Sequence, residues 1–165
     1  MRIFRAVAVY LVLAAVTACG SSTPTAPSPK SQVPSPPPSI LGQWSGGYTT
    51  RSCQEMGAAV GSGFCQFVGI GGGLVLTPQQ TGSAVSGTLS IGGLSPIPIT
   101  GSLGTDAVLA LQGSGPIQFD ATLALVSFRG ILSGQQINGT LSYTVSTPAP
   151  NLGSAVVTAD FTLLK

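Results

Sequence analysis

From Ile40 to Lys165, apolar and polar residues alternate one for one over segment after segment, and no stretch carries the 3.6-residue spacing of an amphipathic helix. Strict alternation gives a strand one apolar and one polar face, so these segments need antiparallel neighbours and one solvated side. Between Ala84 and Ile91 the apolar face is Val85, Gly87, Leu89 and Ile91. Between Ile137 and Val145 it is Ile137, Gly139, Leu141, Tyr143 and Val145, and further on it is Ala155, Val157, Ala159, Phe161 and Leu163. Turn signals at Gly82, Gly92-Gly93, Gly104-Thr105-Asp106, Gly113 to Pro116, Ser133-Gly134 and Pro148 to Gly153 divide the region. They predict about eight strands, near 41–50, 72–80, 83–91, 96–103, 106–112, 117–132, 136–147 and 154–164. Connections this short favour sequential hairpins. The expected fold is therefore all-β, an eight-stranded antiparallel up-and-down meander closed into a barrel, with a two-sheet sandwich as the alternative. The segments SGTLS, TGSL and NGTLS each set a glycine on the apolar face in mid-strand: Gly87, Gly101 and Gly139. A missing side chain lets a strand coil sharply, so these three are expected to be closure points of the barrel rather than ligand contacts.

The residues before this domain have a different character. Arg2 and Arg5 precede an uncharged apolar run from Ala6 to Val16, too short to span a bilayer as a permanent helix, and residues 1–18 read as a secretory signal peptide. The run ends on Val16-Thr17-Ala18-Cys19, which resembles the lipobox of bacterial lipoproteins: a branched apolar residue, two small residues and the cysteine to be alkylated. An ordinary signal peptide with a chance cysteine is the alternative. The resemblance implies that Cys19 receives diacylglyceryl, becomes the mature N-terminus and anchors the protein to a membrane through its acyl chains, palmitate among them. Each buried methylene contributes ~0.8 kcal/mol, so two or three chains hold stably where one is marginal. In that family an Asp after the lipidated cysteine retains the protein at the inner membrane. Here Gly20 and Ser21 follow, which implies the outer membrane of the cell envelope, facing the periplasm or the exterior.

Residues 19–39 then read as the lipidated cysteine plus a Pro/Ser-rich linker, with seven prolines among the twenty residues from Gly20 to Ser39. Such a segment buries no core, and as an extended polyproline-like spacer it spans up to about 60 Å at ~3.1 Å per residue. Removing residues 1–18 takes away Arg2 and Arg5, leaving Lys30, Arg51, Arg129 and Lys165 against Glu55, Asp106, Asp120 and Asp160. The formal charge falls from +2 to zero. A neutral chain with only 6% charged residues has no electrostatic footprint for phosphate backbones, so nucleic acid is excluded as a partner.

Chemistry-bearing residues are few. The sequence has no His, so general acid–base work would fall on four carboxylates, of which Asp106, Asp120 and Asp160 sit at turn or outward-facing positions. No G-x-S-x-G elbow or S-x-x-K pair occurs in the domain, and Gly71-Gly72-Gly73 precedes a strand rather than a helix, so it does not cradle phosphate. No enzymatic activity, cofactor or metal is expected. Cys53 and Cys65 stand twelve residues apart in a Gly-rich stretch without strand alternation, and in an exported protein they most simply form one disulfide.

Gly42-Gln43-Trp44 matches the G-x-W element of the first strand in the calycin barrels, the lipocalins and avidins, and the later x-G-T-L segments resemble avidin strands. The resemblance implies that Trp44 plugs one end of the barrel and that an Arg from a late strand packs against it. Arg129 fills that role if the sixth strand runs without a bulge, in phase with Phe119, Leu123 and Leu125. Avidins use several pocket tryptophans and this chain has one, so biotin binding is not implied. Two functions stay open. The first is a structural or protein-interaction module of the envelope, favoured by an inward list rich in Leu, Ile and Phe. The alternative is a module holding a small apolar or amphipathic ligand in the barrel mouth, with Trp44, Tyr48, Arg129 and Tyr143 as the inward polar handles. Strands that themselves span the outer membrane would need aromatic girdles, which the sequence lacks.

Overall fold

The structure, a computed structural model, describes residues 35–67, 69–147 and 153–165. The signal-peptide segment, Cys19 and most of the Pro/Ser-rich linker lie outside the described residues. Eight strands follow in chain order: β1 (Trp44–Gly57), β2 (Gly71–Thr81), β3 (Ala84–Ile91), β4 (Ile97–Leu103), β5 (Val108–Pro116), β6 (Thr122–Ser133), β7 (Gln136–Ser146) and β8 (Gly153–Leu164). Each pairs antiparallel with its successor, and β8 returns to β1, so the sheet is a closed up-and-down barrel. Among the described residues, no helix is long and apolar enough to cross a membrane, which leaves strand-mediated crossing unaddressed.

Alternation decides which side chains point inward. Val85, Leu89 and Ile91 of β3, Ile137, Leu141 and Tyr143 of β7, and Ala155, Val157, Ala159, Phe161 and Leu163 of β8 are all buried. Eight strands enclose a space that side chains can just fill. Here one continuous apolar cluster draws on every strand, with the rings of Phe128 and Phe161 only 4.4 Å apart within it.

The expected closure points are close contacts between neighbouring backbones. A Cβ at Gly87, Gly101 or Gly139 would lie 2.1, 1.9 or 2.0 Å from the carbonyl oxygen of Thr77, Ala110 or Arg129 on the adjoining strand. Only glycine allows the strands to coil so tightly there.

Three strand limits differ from expectation by four residues or more. β1 was expected to end near residue 50 and runs to Gly57, because an extra residue at Arg51 bulges out: Thr50 faces Ala159 while Ser52 already faces Thr158. Cys53 therefore belongs to a strand and not to an irregular stretch. β5 continues through Gly113 to Pro116, since Gly113 is paired with both Ile99 and Leu125, and its glycine serves close approach rather than a turn. The expected start of the sixth strand, at 117, is instead a connection holding a short 3-10 turn at Gln118–Asp120, so β6 begins at Thr122.

The two ends of the barrel are built differently. At the Trp44 end the connections are short, and each is tied to the next: Leu103 N–H donates to Ser83 O (2.8 Å), Leu132 N–H to Ala107 O (3.0 Å) and Lys165 N–H to Gln135 O (3.1 Å). The other end, the mouth, carries the connections 58–70, 92–96 and 117–121.

Candidate functional site

Trp44 is buried at the closed end, its indole N–H donating 2.7 Å to Ile40 O. The segment before it is held in place by Gln80, whose side-chain amide donates to Pro38 O and accepts from Ile40 N–H, both at 2.9 Å. The cation nearest the indole is Lys165, its Nζ 5.8 Å from the ring centroid, within range of a weak cation–π attraction.

Arg129 does not take that place. β6 carries one extra residue at Val126, so Leu125 faces Tyr143 but Ser127 already faces Ser142. A single inserted residue moves every later side chain to the opposite face. Phe128 therefore points inward and Arg129 lies exposed on the outer wall, beside Ala110 and Thr140. The apolar phase in the sequence changes from Leu123 and Leu125 to Phe128, Gly130 and Leu132, and that change is the local sign of the bulge. Of the four expected polar handles, Trp44 sits at the wrong end and Arg129 on the wrong face.

Tyr48 and Tyr143 do converge. They line a hollow of about 380 Å³ at the mouth, together with Ile91, Val157, Phe64 and the Cys53–Cys65 bridge. Tyr143 is buried, and desolvation first, then the neighbouring Tyr48, pushes its ionisation far above the ordinary tyrosine range. It is a neutral phenol at any physiological pH. Tyr48 owes its place to two glycines: a Cβ at Gly72 would meet its ring at 2.9 Å, and one at Gly92 would meet its hydroxyl at 2.9 Å.

The wall above the tyrosines is the 58–70 connection. Cys53 on β1 is bonded to Cys65 in a short 3-10 turn at Phe64–Phe67, with a Cα–Cα separation of 5.3 Å. Backbone bonds add to this, Gly69 N–H donating to Thr50 O (2.8 Å) and Thr50 N–H to Ile70 O (3.3 Å). Glu55, given no role by the sequence reading, is the third fastening. Its carboxylate accepts from Gly61 N–H (2.8 Å), Cys65 N–H (2.9 Å) and Ser62 Oγ (3.3 Å). The Cys65 bond is the leading cause that holds its pKa below the ordinary value of 4.5, against a smaller opposing effect of desolvation.

The remaining carboxylates are dispersed: Asp106 caps its own turn by accepting from Val108 N–H (3.2 Å), Asp160 pairs with Arg51 on the outer wall, and Asp120 is exposed. Among the described residues, no group of three or more His, Cys, Asp or Glu side chains gathers to hold a metal. Compared with protein-family models, curated proteins and solved structures, the chain matches none of them.

Proposed function

We propose that this chain is a lipid-anchored envelope protein, carried by acylated Cys19 on a Pro/Ser-rich tether, whose barrel is a non-catalytic structural or protein-interaction module of calycin-like plan. The observation that carries the module reading is the filled interior: packed side chains run from Trp44 through the Phe128–Phe161 pair up to Tyr143, which suits a rigid display scaffold better than a deep calyx. Two features support the anchored arrangement. Residues 36–39 lie against the β2–β3 turn at the closed end, so a tether joining there leaves the mouth at the far end of the barrel. The outward residues Asn138, Thr140, Ser142 and Thr144 of β7 and Thr158, Asp160 and Thr162 of β8 form a polar wall suited to water rather than to lipid.

The test is mass spectrometry of the mature N-terminus and membrane fractionation. An acylated Cys19, and loss of membrane partition in Cys19→Ser, are expected. An unmodified N-terminus, or wild-type protein released in soluble form, overturns the anchor. A second reading, a small ligand held in the mouth, is favoured by one observation: the hollow that Tyr48 and Tyr143 share.

A further inference from the structure

We propose that the mouth hollow binds a small uncharged molecule with an apolar body of one or two rings and a hydrogen-bond acceptor directed at the Tyr48–Tyr143 pair. The inference rests on the small-ligand reading and names the ligand's chemistry.

Size sets the first limit. A hollow of about 380 Å³ is at the small end of ligand pockets, which run from roughly 300 to 1,000 Å³. The lining sets the second. Ile91, Leu94 and Val157 give an apolar floor with Ile70 and Phe64 as an exposed apolar rim, and no Lys, Arg, Asp or Glu is among the lining residues. The charged groups closest in sequence are engaged elsewhere, Glu55 with the 58–70 connection and Arg51 with Asp160 on the outer wall. A ligand charge seated against that floor would lose water without gaining a partner, which is costly, so the occupant is neutral.

Proton bookkeeping sets the third limit. Each phenol has one O–H to donate, and both rings line the hollow. Even where one ring donates to the other, one O–H proton is left for an acceptor in the hollow. Burial keeps Tyr143 from ionising at physiological pH, so its hydroxyl remains a donor. Gly72 and Gly92 supply the room that keeps Tyr48 in this position. A ketone, ether or ester oxygen on a ring system satisfies all three limits.

The test titrates the oxidised full chain carrying Cys19→Ser with 2-acetylnaphthalene, naphthalene and 2-naphthoate, followed by amide NMR shifts. The ketone is expected to bind about tenfold tighter than naphthalene, the equivalent of one added hydrogen bond, and the carboxylate more weakly than either. Shifts should centre on Gly72 and Gly92 and leave the Trp44 indole resonance unmoved. In Tyr48→Phe/Tyr143→Phe the advantage of the ketone should vanish while naphthalene affinity stays the same. Equal affinity for ketone and naphthalene in the wild type, or a preference that survives the double substitution, overturns the acceptor assignment and leaves the small-ligand reading standing. Failure of all three probes to saturate overturns both.

Discussion

The closed end and the mouth of this barrel solve the same problem, covering the apolar ends of eight strands, by different physical means. The closed end uses a large side chain, Trp44, with short connections bonded to one another, so its cover is part of the core itself. The mouth uses a thirteen-residue connection, 58–70, laid across the opening and fastened by a disulfide, the Glu55 carboxylate and two backbone bonds to Thr50. Removing part of the first cover opens a cavity in the core. Removing a fastening of the second frees a flap. The difference teaches that a barrel with a filled interior can still carry a hollow, provided that one cover is separable from the core.

The largest effect that sharpens this contrast is expected from Trp44→Ala. A buried Trp cut to Ala costs ~3–5 kcal/mol, a large part of the 5–15 kcal/mol of a typical domain. Chemical denaturation should give a much lower midpoint, and wild-type Trp emission should be that of a buried indole. A water-like emission with an unchanged midpoint would refute the plug. Cys53→Ser/Cys65→Ser should follow, since closing a loop of this length is worth ~3 kcal/mol in the chain-entropy picture. Amide exchange should rise throughout 58–70 and remain slow at the closed end. Equal acceleration at both ends would mean that the two covers are a single cooperative unit.

A smaller effect is expected from acid, and it should fall on the mouth alone. Because the folded-state pKa of Glu55 lies below its ordinary 4.5, the hold of its carboxylate on the connection is fully present above pH 4.5. That hold is lost as pH falls through the lower folded value. Exchange at Gly61 and Cys65 should accelerate over that window, and Glu55→Gln should remove the pH dependence. The smallest effect is expected on the outer wall, where Arg51 and Asp160 are paired with side chains 64% and 42% exposed. A double-mutant cycle to Ala should return a coupling within about 0–1 kcal/mol. A larger value would show that the bulge at Arg51 depends on this ion pair.

Half of the candidate site was legible in the sequence. Tyr143 stands in an unbroken alternation with Ile137 and Leu141, and Tyr48 in phase with Trp44, so both inward directions follow from period two alone. The disulfide was legible from cysteine arithmetic, although the strand that carries Cys53 was not. Glu55 had no signal, because its partners are the backbone N–H groups of Gly61 and Cys65, which exist as a cradle only once the connection is folded.

By itself the sequence determined the all-β class, the number of strands, their antiparallel order and the glycines at which they coil, because alternation, turn residues and the absence of a side chain act within a few neighbouring positions. Only the tertiary structure decided which way Arg129 and Cys53 face. Each lies past a bulge whose location is set by the registers that the flanking strands impose, and a one-residue shift reverses every face beyond it. It likewise decided that Lys165, rather than Arg129, stands over Trp44. That neighbour is fixed by the return of β8 to β1, a closure between the first and last strands that no local pattern encodes.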